Sequence, residues 1–283
     1  MEYLQEFDTR KYMNRSDFEI FHYRGTSPEE KEVHHHDFYE IFFLISGKIT
    51  YWAEDRTYHL KAGDILLMNP MVLHRPIPEE GSSGYDRIVL WINKEYLEKI
   101  SSSETKLYRC FENSMSPNTN HLHTTKSLKN SMQTRLEDLV KEFYCEEFGS
   151  RICAEGILRQ FMVELNRFFE NAAVEQGNKK EFSTLVTDVI EYIGENYMDD
   201  LSLDTLASHF YVSKYHLSHE FSGAIGTGVY RYIMLKRLLA ARQLLLKGVS
   251  AYEACTKCGF KDYTNFYRAF KAEYGISPSE VNK

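Results

Sequence analysis

Five cysteines lie scattered through 283 residues, an odd number at no regular spacing. This argues against a disulfide framework and for reduced thiols in a cytosol. No apolar run approaches the roughly 18 residues a membrane span needs, and the opening "MEYLQEFDTRKYMNRSDF" has no basic segment leading into an apolar one. The expectation is a soluble, non-exported chain, without membrane contact, in the cytoplasm. Low-complexity segments are missing as well. Cys255-x-x-Cys258 has the spacing of half a zinc site or a redox pair, but no second Cys pair or downstream His pair completes it. Both thiols are expected to be buried and inert.

Apolar material is plentiful, at 43% hydrophobic and 14% aromatic, and the length exceeds what one core usually organises, so about two domains are expected. The net charge of −7 is unevenly spread. Residues 210–283 hold eleven Lys and Arg against five Asp and Glu, or +6, which leaves −13 for residues 1–209. An acidic body with a basic final quarter points that quarter towards a polyanion.

The apolar period changes along the chain. From about Ile20 to Ile92, short runs such as "EIFFLISGKITYWA", "RTYHL", "KAGDILLMNP" and "YDRIVLWI" are punctuated by Gly47, Gly63 and Pro70, the pattern of an antiparallel barrel or sandwich. From Thr125 the spacing is helical. Leu128, Met132, Leu136, Leu139 and Phe143 form one stripe, and Ile157, Leu158, Phe161, Met162, Leu165 and Phe169 another. Two such stripes exceed what a barrel lid requires and predict dimerisation through residues 125–172, the alternative being that both helices simply cover the open end of the barrel. The polar "NAAVEQGNKKEF" reads as a linker.

Beyond the linker the pattern repeats. "LSLDTLASHFYVSKYHLSHEFSGA" reads as a short helix capped by Ser202, a tight connection near Tyr211 and a second helix capped by Ser213. "SAYEACTKCGFKDYTNFYRAFKAEYG" repeats it with caps at Ser250 and Asp262 and stops at Gly259 and Gly275. Phe221, Phe260, Phe266 and Phe270 are expected core residues. "VYRYIMLKRLLAARQLLLKG" suits one connecting helix, and about 20 residues span about 30 Å, close to a turn of B-DNA at about 34 Å.

In "KRLLAARQLLLKG" and "CGFKDYTNFYRAFKAEYGISP" the chain resembles the AraC family of bacterial transcription regulators over about residues 182–283. The resemblance implies a pair of helix-turn-helix units that bind double-stranded DNA, with RNA polymerase as a further partner. Positions matching base contacts are Tyr215, Ser218 and His219, with Lys214 near the backbone, and then Thr264, Asn265 and Arg268, with Lys261 and Lys271 against phosphates. Arg268 suits a bidentate contact to guanine. His219 departs from the stronger cation common at its position.

The stretch "HHHDFYEIFFLISG" places His34, His36 and Glu40 at even positions, which an extended backbone would send to one face. His34, His36, Glu40 and Gly47 resemble the first cupin motif, and "GDILLMNPMVLH", ending at His74, the second. Asn69 and Met71 stand where that second motif has a proline and a glycine. Metal-binding cupins hold one divalent cation on such histidines and glutamate, whereas cupin-like sensors of AraC-type regulators bind a small effector. Three readings of His34, His36, Glu40 and His74 stay open: effector lining, metal ligands, or barrel architecture alone. Effector lining is preferred, with stacking surface for a sugar from Trp52, Tyr39 and Tyr51. His121 and His123 read as ordinary residues before a helix.

The resulting expectation is an α+β chain: a cupin-like effector-binding β barrel over residues 1–124, a helical coupling and dimerisation segment over 125–176 and an all-α DNA-binding domain over 177–283. The function expected is a ligand-responsive transcription regulator, a homodimer and not an enzyme. The alternative is a metal-dependent cupin enzyme with an appended DNA-binding domain.

Overall fold

The computed structural model describes residues 4–6, 10–25, 33–54, 56–78, 84–112, 119–124, 126–171 and 183–281. The expected linker falls mainly on 172–182, outside them, as do the expected domain edges near 125 and 176. The chain divides into two compact units, Met1–Lys179 and Lys180–Lys283.

The first unit begins with β1 (Phe18–Arg24), β2 (Tyr39–Ser46), β3 (Lys48–Ala53), β4 (Arg56–Lys61), β5 (Ile65–Met68), β6 (His74–Pro78) and β7 (Asp86–Ile92). Two short helices, α1 (Lys94–Ile100) and α2 (Arg109–Glu112), precede β8 (Thr119–Leu122). All pairings are antiparallel, giving a five-stranded sheet in the order β1-β7-β2-β5-β8 and a three-stranded sheet in the order β4-β3-β6. Alternation along β2 explains its unbroken apolar run. Phe42 and Leu44 pack with Phe38, Tyr51 and Leu66, while Tyr39, Ile41 and Phe43 pack on the opposite face with the helices. Gly47 turns the chain from β2 into β3 at φ 88°, and a Cβ there would meet the Tyr85 Cβ at 2.9 Å.

Helices α3 (Lys126–Tyr144) and α4 (Ser150–Asn171) carry the two expected stripes. Met132, Leu136 and Leu139, with Leu158, Phe161, Met162 and Leu165, join Phe18, Ile20, Ile41, Phe43 and Leu90 in one buried cluster. The stripes are therefore consumed within the chain, against the outer face of the larger sheet. Arg135 clamps the pair, its Nε and Nη2 donating to Glu164 at 3.0 and 2.5 Å.

The second unit is α5 (Thr184–Asn196), α6 (Leu203–His209), α7 (Lys214–Ile225), α8 (Val229–Leu246), α9 (Ala251–Lys257) and α10 (Tyr263–Tyr274), closed by a 3-10 turn at Pro278–Glu280. Side chains of Ser202, Ser213, Ser250 and Asp262 cap α6, α7, α9 and α10 by accepting from backbone N–H groups. Gly275 ends α10 at φ 72°. Gly259 has φ 77°, and a Cβ there would lie 2.4 Å from the Met198 carbonyl oxygen, so only glycine lets the α9–α10 turn seat against the chain leaving α5. Arg237 of α8 fastens the same place, donating to the carbonyls of Tyr197 and Asp199 at 2.7 Å each. The two helix-turn-helix units are thus joined both by α8 and by this junction. Phe221, Phe266 and Phe270 are fully buried, Phe260 nearly so, and Cys255 and Cys258 are buried beside them. Burial pushes both thiols up, that of Cys258 to about 11, so they are poor thiolate donors.

Candidate effector site and nucleic-acid interface

Three of the four expected barrel residues converge tightly. One ligand atom each from His36, Glu40 and His74 lie within 4.8 Å of one another, and all three side chains are buried. Strand parity is not what gathers them, because β2 starts only at Tyr39. His34 pairs with His74 through an isolated antiparallel bridge, its backbone N–H donating to the His74 carbonyl at 3.0 Å and its carbonyl accepting from the His74 N–H at 2.9 Å. The chain then bends so that His36 stacks on Phe38 with centroids 4.1 Å apart. His34 stays outside the tight triad, with its ring 4.3 Å from that of His74. Met71, standing where the resembling motif has a glycine, takes φ 69°, the left-handed region that favours glycine.

Hydrogen bonds fix how the rings present themselves. His36 Nδ1 faces the Phe38 carbonyl and His74 Nδ1 the Val72 carbonyl, each at 2.9 Å. A carbonyl only accepts, so both Nδ1 atoms carry hydrogen and both Nε2 atoms offer a lone pair while the rings are neutral. His74 Nε2 is buried and has no hydrogen-bond partner among the described residues, and His36 Nε2 lies 3.2 Å from Glu40 Oε2. Glu40 also accepts from Trp91 Nε1 at 2.9 Å. Burial alone would raise the Glu40 carboxyl, but the hydrogen bond and charge that His36 supplies in its protonated form, with His34 and Trp91, hold it below its ordinary range. Burial, then the charges of His34 and His36, push His74 well below its ordinary value. Tyr51 stacks near His74 at 6.1 Å, its hydroxyl pushed well up by burial and the Glu40 charge.

The other expected aromatics point elsewhere. Trp52 is fully buried but pairs with Thr57 and Arg75, and alternation puts it on the face of β3 opposite Tyr51, away from the triad. Tyr39 faces the helices and stacks on Phe111 at 4.2 Å. Trp91 enters through the Glu40–Trp91 register of β2 and β7, which no local pattern reveals. His121 and His123, expected as ordinary residues before a helix, take part in a buried contact. They sit at the end of β8, His121 buried, and converge on Asp64 of the β4–β5 turn at 3.0 and 2.8 Å.

The second unit presents its expected DNA contacts to solvent. Lys214, Tyr215 and His219 are exposed on α7, with Tyr215 stacked over His219 at 6.1 Å and Ser218 half-buried. Thr264, Asn265, Arg268 and Lys271 are exposed on α10, on the side away from the buried Phe266 and Phe270. Lys214 and Lys261 meet Asp204 and Asp200 at 2.7 and 2.6 Å, exposed pairs that a phosphate can replace at little cost. The 18-residue α8 runs about 27 Å between the two units at about 1.5 Å per residue.

Residues 17–161 match the AraC-like ligand binding domain, and residues 206–283 a helix-turn-helix domain. The chain belongs to the AraC family. This AraC-family regulator is 28% identical to the uncharacterised HTH-type transcriptional regulator YfiF of Bacillus subtilis over 272 residues, 91% of this chain and 81% of the relative. It is 20% identical to the HTH-type transcriptional activator RhaS of Escherichia coli over 251 residues, 88% and 87% of the two chains. Among solved structures, ToxT of Vibrio cholerae with bound unsaturated fatty acid aligns over 95% of this chain and 96% of its own, at 15% identity and a TM-score of 0.40. The family, and YfiF and RhaS by name, are transcription regulators, which sets aside the cupin-enzyme alternative.

Proposed function

We propose that the barrel interior is the effector site of this regulator, with His36, Glu40 and His74 as its polar recognition groups and Tyr51 beside them. Occupancy there changes how the helix-turn-helix unit engages its operator. The observation carrying this reading is His74 Nε2, a buried lone pair with no hydrogen-bond partner among the described residues. Such an unmatched atom costs about 1–3 kcal/mol, which a ligand donor would relieve. A small hydroxylated molecule such as a sugar suits the set, donating to the imidazole nitrogens and to Glu40.

A second reading is a divalent cation, favoured by the compactness of the triad. Two imidazole nitrogens and one carboxylate oxygen are a fitting ligand set, and Glu40 facing the His36 lone pair at 3.2 Å is an arrangement a cation would stabilise. Such an ion would polarise an effector oxygen. His36→Ala separates the readings when elemental analysis is combined with a thermal-shift screen against sugars. Loss of stoichiometric metal supports the cation, loss of the sugar-induced shift in metal-free protein supports the pocket, and a variant that keeps both contradicts the two together.

The same proposal has the exposed side chains of α7 and α10 reading DNA in the cytoplasm, RNA polymerase as the partner at the promoter, and a homodimer as the working form. With the helix stripes buried, the dimer reading rests instead on Phe148 and Ile152, which project at the turn between α3 and α4 with exposures of 108% and 77%.

A further inference from the structure

We propose that Asp64, His121 and His123 form a binding site for a divalent transition cation of the zinc class, separate from the barrel triad, that ties the β4–β5 turn to the strand leading into α3. One ligand atom from each of the three lies within 4.8 Å of the others. His121 and His123, two apart at the end of β8, turn their rings to the same carboxylate with centroids 4.4 Å apart. His121 Nε2 meets Asp64 Oδ2 at 3.0 Å and His123 Nδ1 meets Asp64 Oδ1 at 2.8 Å. Two imidazole nitrogens and a carboxylate oxygen are a ligand set for zinc, cobalt or ferrous iron rather than for magnesium or calcium.

The surroundings are organised as a metal site requires. The Lys61 backbone N–H donates to Asp64 Oδ2 at 2.8 Å, fixing the carboxylate from behind. Asp64 and His121 are buried, at 6% and 3% side-chain exposure, whereas His123 is 40% exposed, so the cluster opens to water on one side. Three protein ligands with one open side leave a position for water, as three-ligand zinc sites do.

Placement gives the site its consequence. Gly63 beside it has φ 102°, and a Cβ there would meet the Lys129 side chain at 2.8 Å and Thr124 Oγ1 at 2.9 Å. Thr124 Oγ1 donates to the Gly63 carbonyl at 2.6 Å, and Lys129 Nζ of α3 to the Ile45 carbonyl at 3.1 Å. An ion held here cross-links the turn, β8 and the approach to α3, the helix packed on the sensor sheet, so metal supply sets the stiffness of that joint. The proposal does not depend on what occupies the barrel triad.

The test is equilibrium dialysis of the full chain, stripped with a chelator, against Zn²⁺ alone, with the barrel triad silenced by His74→Gln. That protein is expected to take up one equivalent, and adding His123→Ala is expected to weaken uptake at least tenfold with an unchanged circular dichroism spectrum. Cobalt-loaded protein is expected to lose its visible d–d absorption in the same step. No uptake by folded His74→Gln protein, or equal uptake with and without His123→Ala, overturns the site and leaves a hydrogen-bonded carboxylate staple. Should His74→Gln unfold the barrel, His123→Ala in the otherwise unaltered chain decides: loss of one equivalent supports the site and unchanged zinc content overturns it.

Discussion

Arg268→Ala is expected to weaken binding to a selected operator by about 10- to 100-fold, or about 1–3 kcal/mol, while changing affinity for random duplex little. Arg268 is exposed on α10, two residues beyond Phe266, which anchors the opposite face of the helix in the core. A planar fork carried on a helix pinned at Phe266 and Phe270 reaches outward without competing for the core, and its two donors match the two acceptors on guanine's major-groove edge. Lys271→Ala is the contrasting substitution. A phosphate contact weakens all duplexes alike and lowers the salt dependence by about one counterion. Fluorescence anisotropy on selected and random duplexes measures both, and equal losses for Arg268→Ala on the two would place that side chain on the backbone.

Acidification is expected to destabilise the metal-free sensor unit from just above pH 6 downward, and His74 is expected to carry much of the slope. Its folded value is pushed well below the ordinary 6.5, first by burial and then by the charges of His34 and His36. Below pH 6.5 the unfolded chain therefore binds a proton that the folded chain refuses. Stability then falls by about 1.4 kcal/mol per pH unit for as long as the folded ring stays neutral. Glu40 adds to the loss at lower pH. Its folded carboxyl is held below its ordinary 4.5, so the stability it contributes is present above that value and disappears as pH falls through the folded one. The melting temperature is therefore expected to fall as pH drops below 6.5, for as long as the folded ring stays neutral. Melts in the presence of a chelator check it. His74→Gln is expected to flatten the fall over that window, and an unchanged slope would remove His74 as its source.

Much of this architecture is legible in the residues because its signals are local. Caps at Ser202, Ser213, Ser250 and Asp262, and stops at Gly259 and Gly275, act within one helical turn, so the helix-turn-helix units can be read directly. The barrel strands show as short apolar runs for the same reason. What escapes is set by long-range register. Trp91 reaches Glu40 only because β7 lies beside β2, and Trp52 leaves the triad only because β3 pairs with β4 and β6 in one phase. His121 and His123 lack a nearby carboxylate in sequence, since Asp64 is 57 residues from His121 and meets it only when β8 adds to the edge of β5. The stripes of α3 and α4 are legible for the same local reason, but a stripe shows that a helix face is buried and not what buries it. Here the larger sheet does.

The central claim is that one chain reads DNA through two helix-turn-helix units set by α8, and a hydroxyl-radical footprint of the full chain on an operator selected from random duplexes tests it most directly. Two protected segments are expected for each chain on one face of the duplex, about 10 base pairs apart, corresponding to successive major grooves. A single protected segment, or protection that random duplex reproduces at the same concentration, would contradict it.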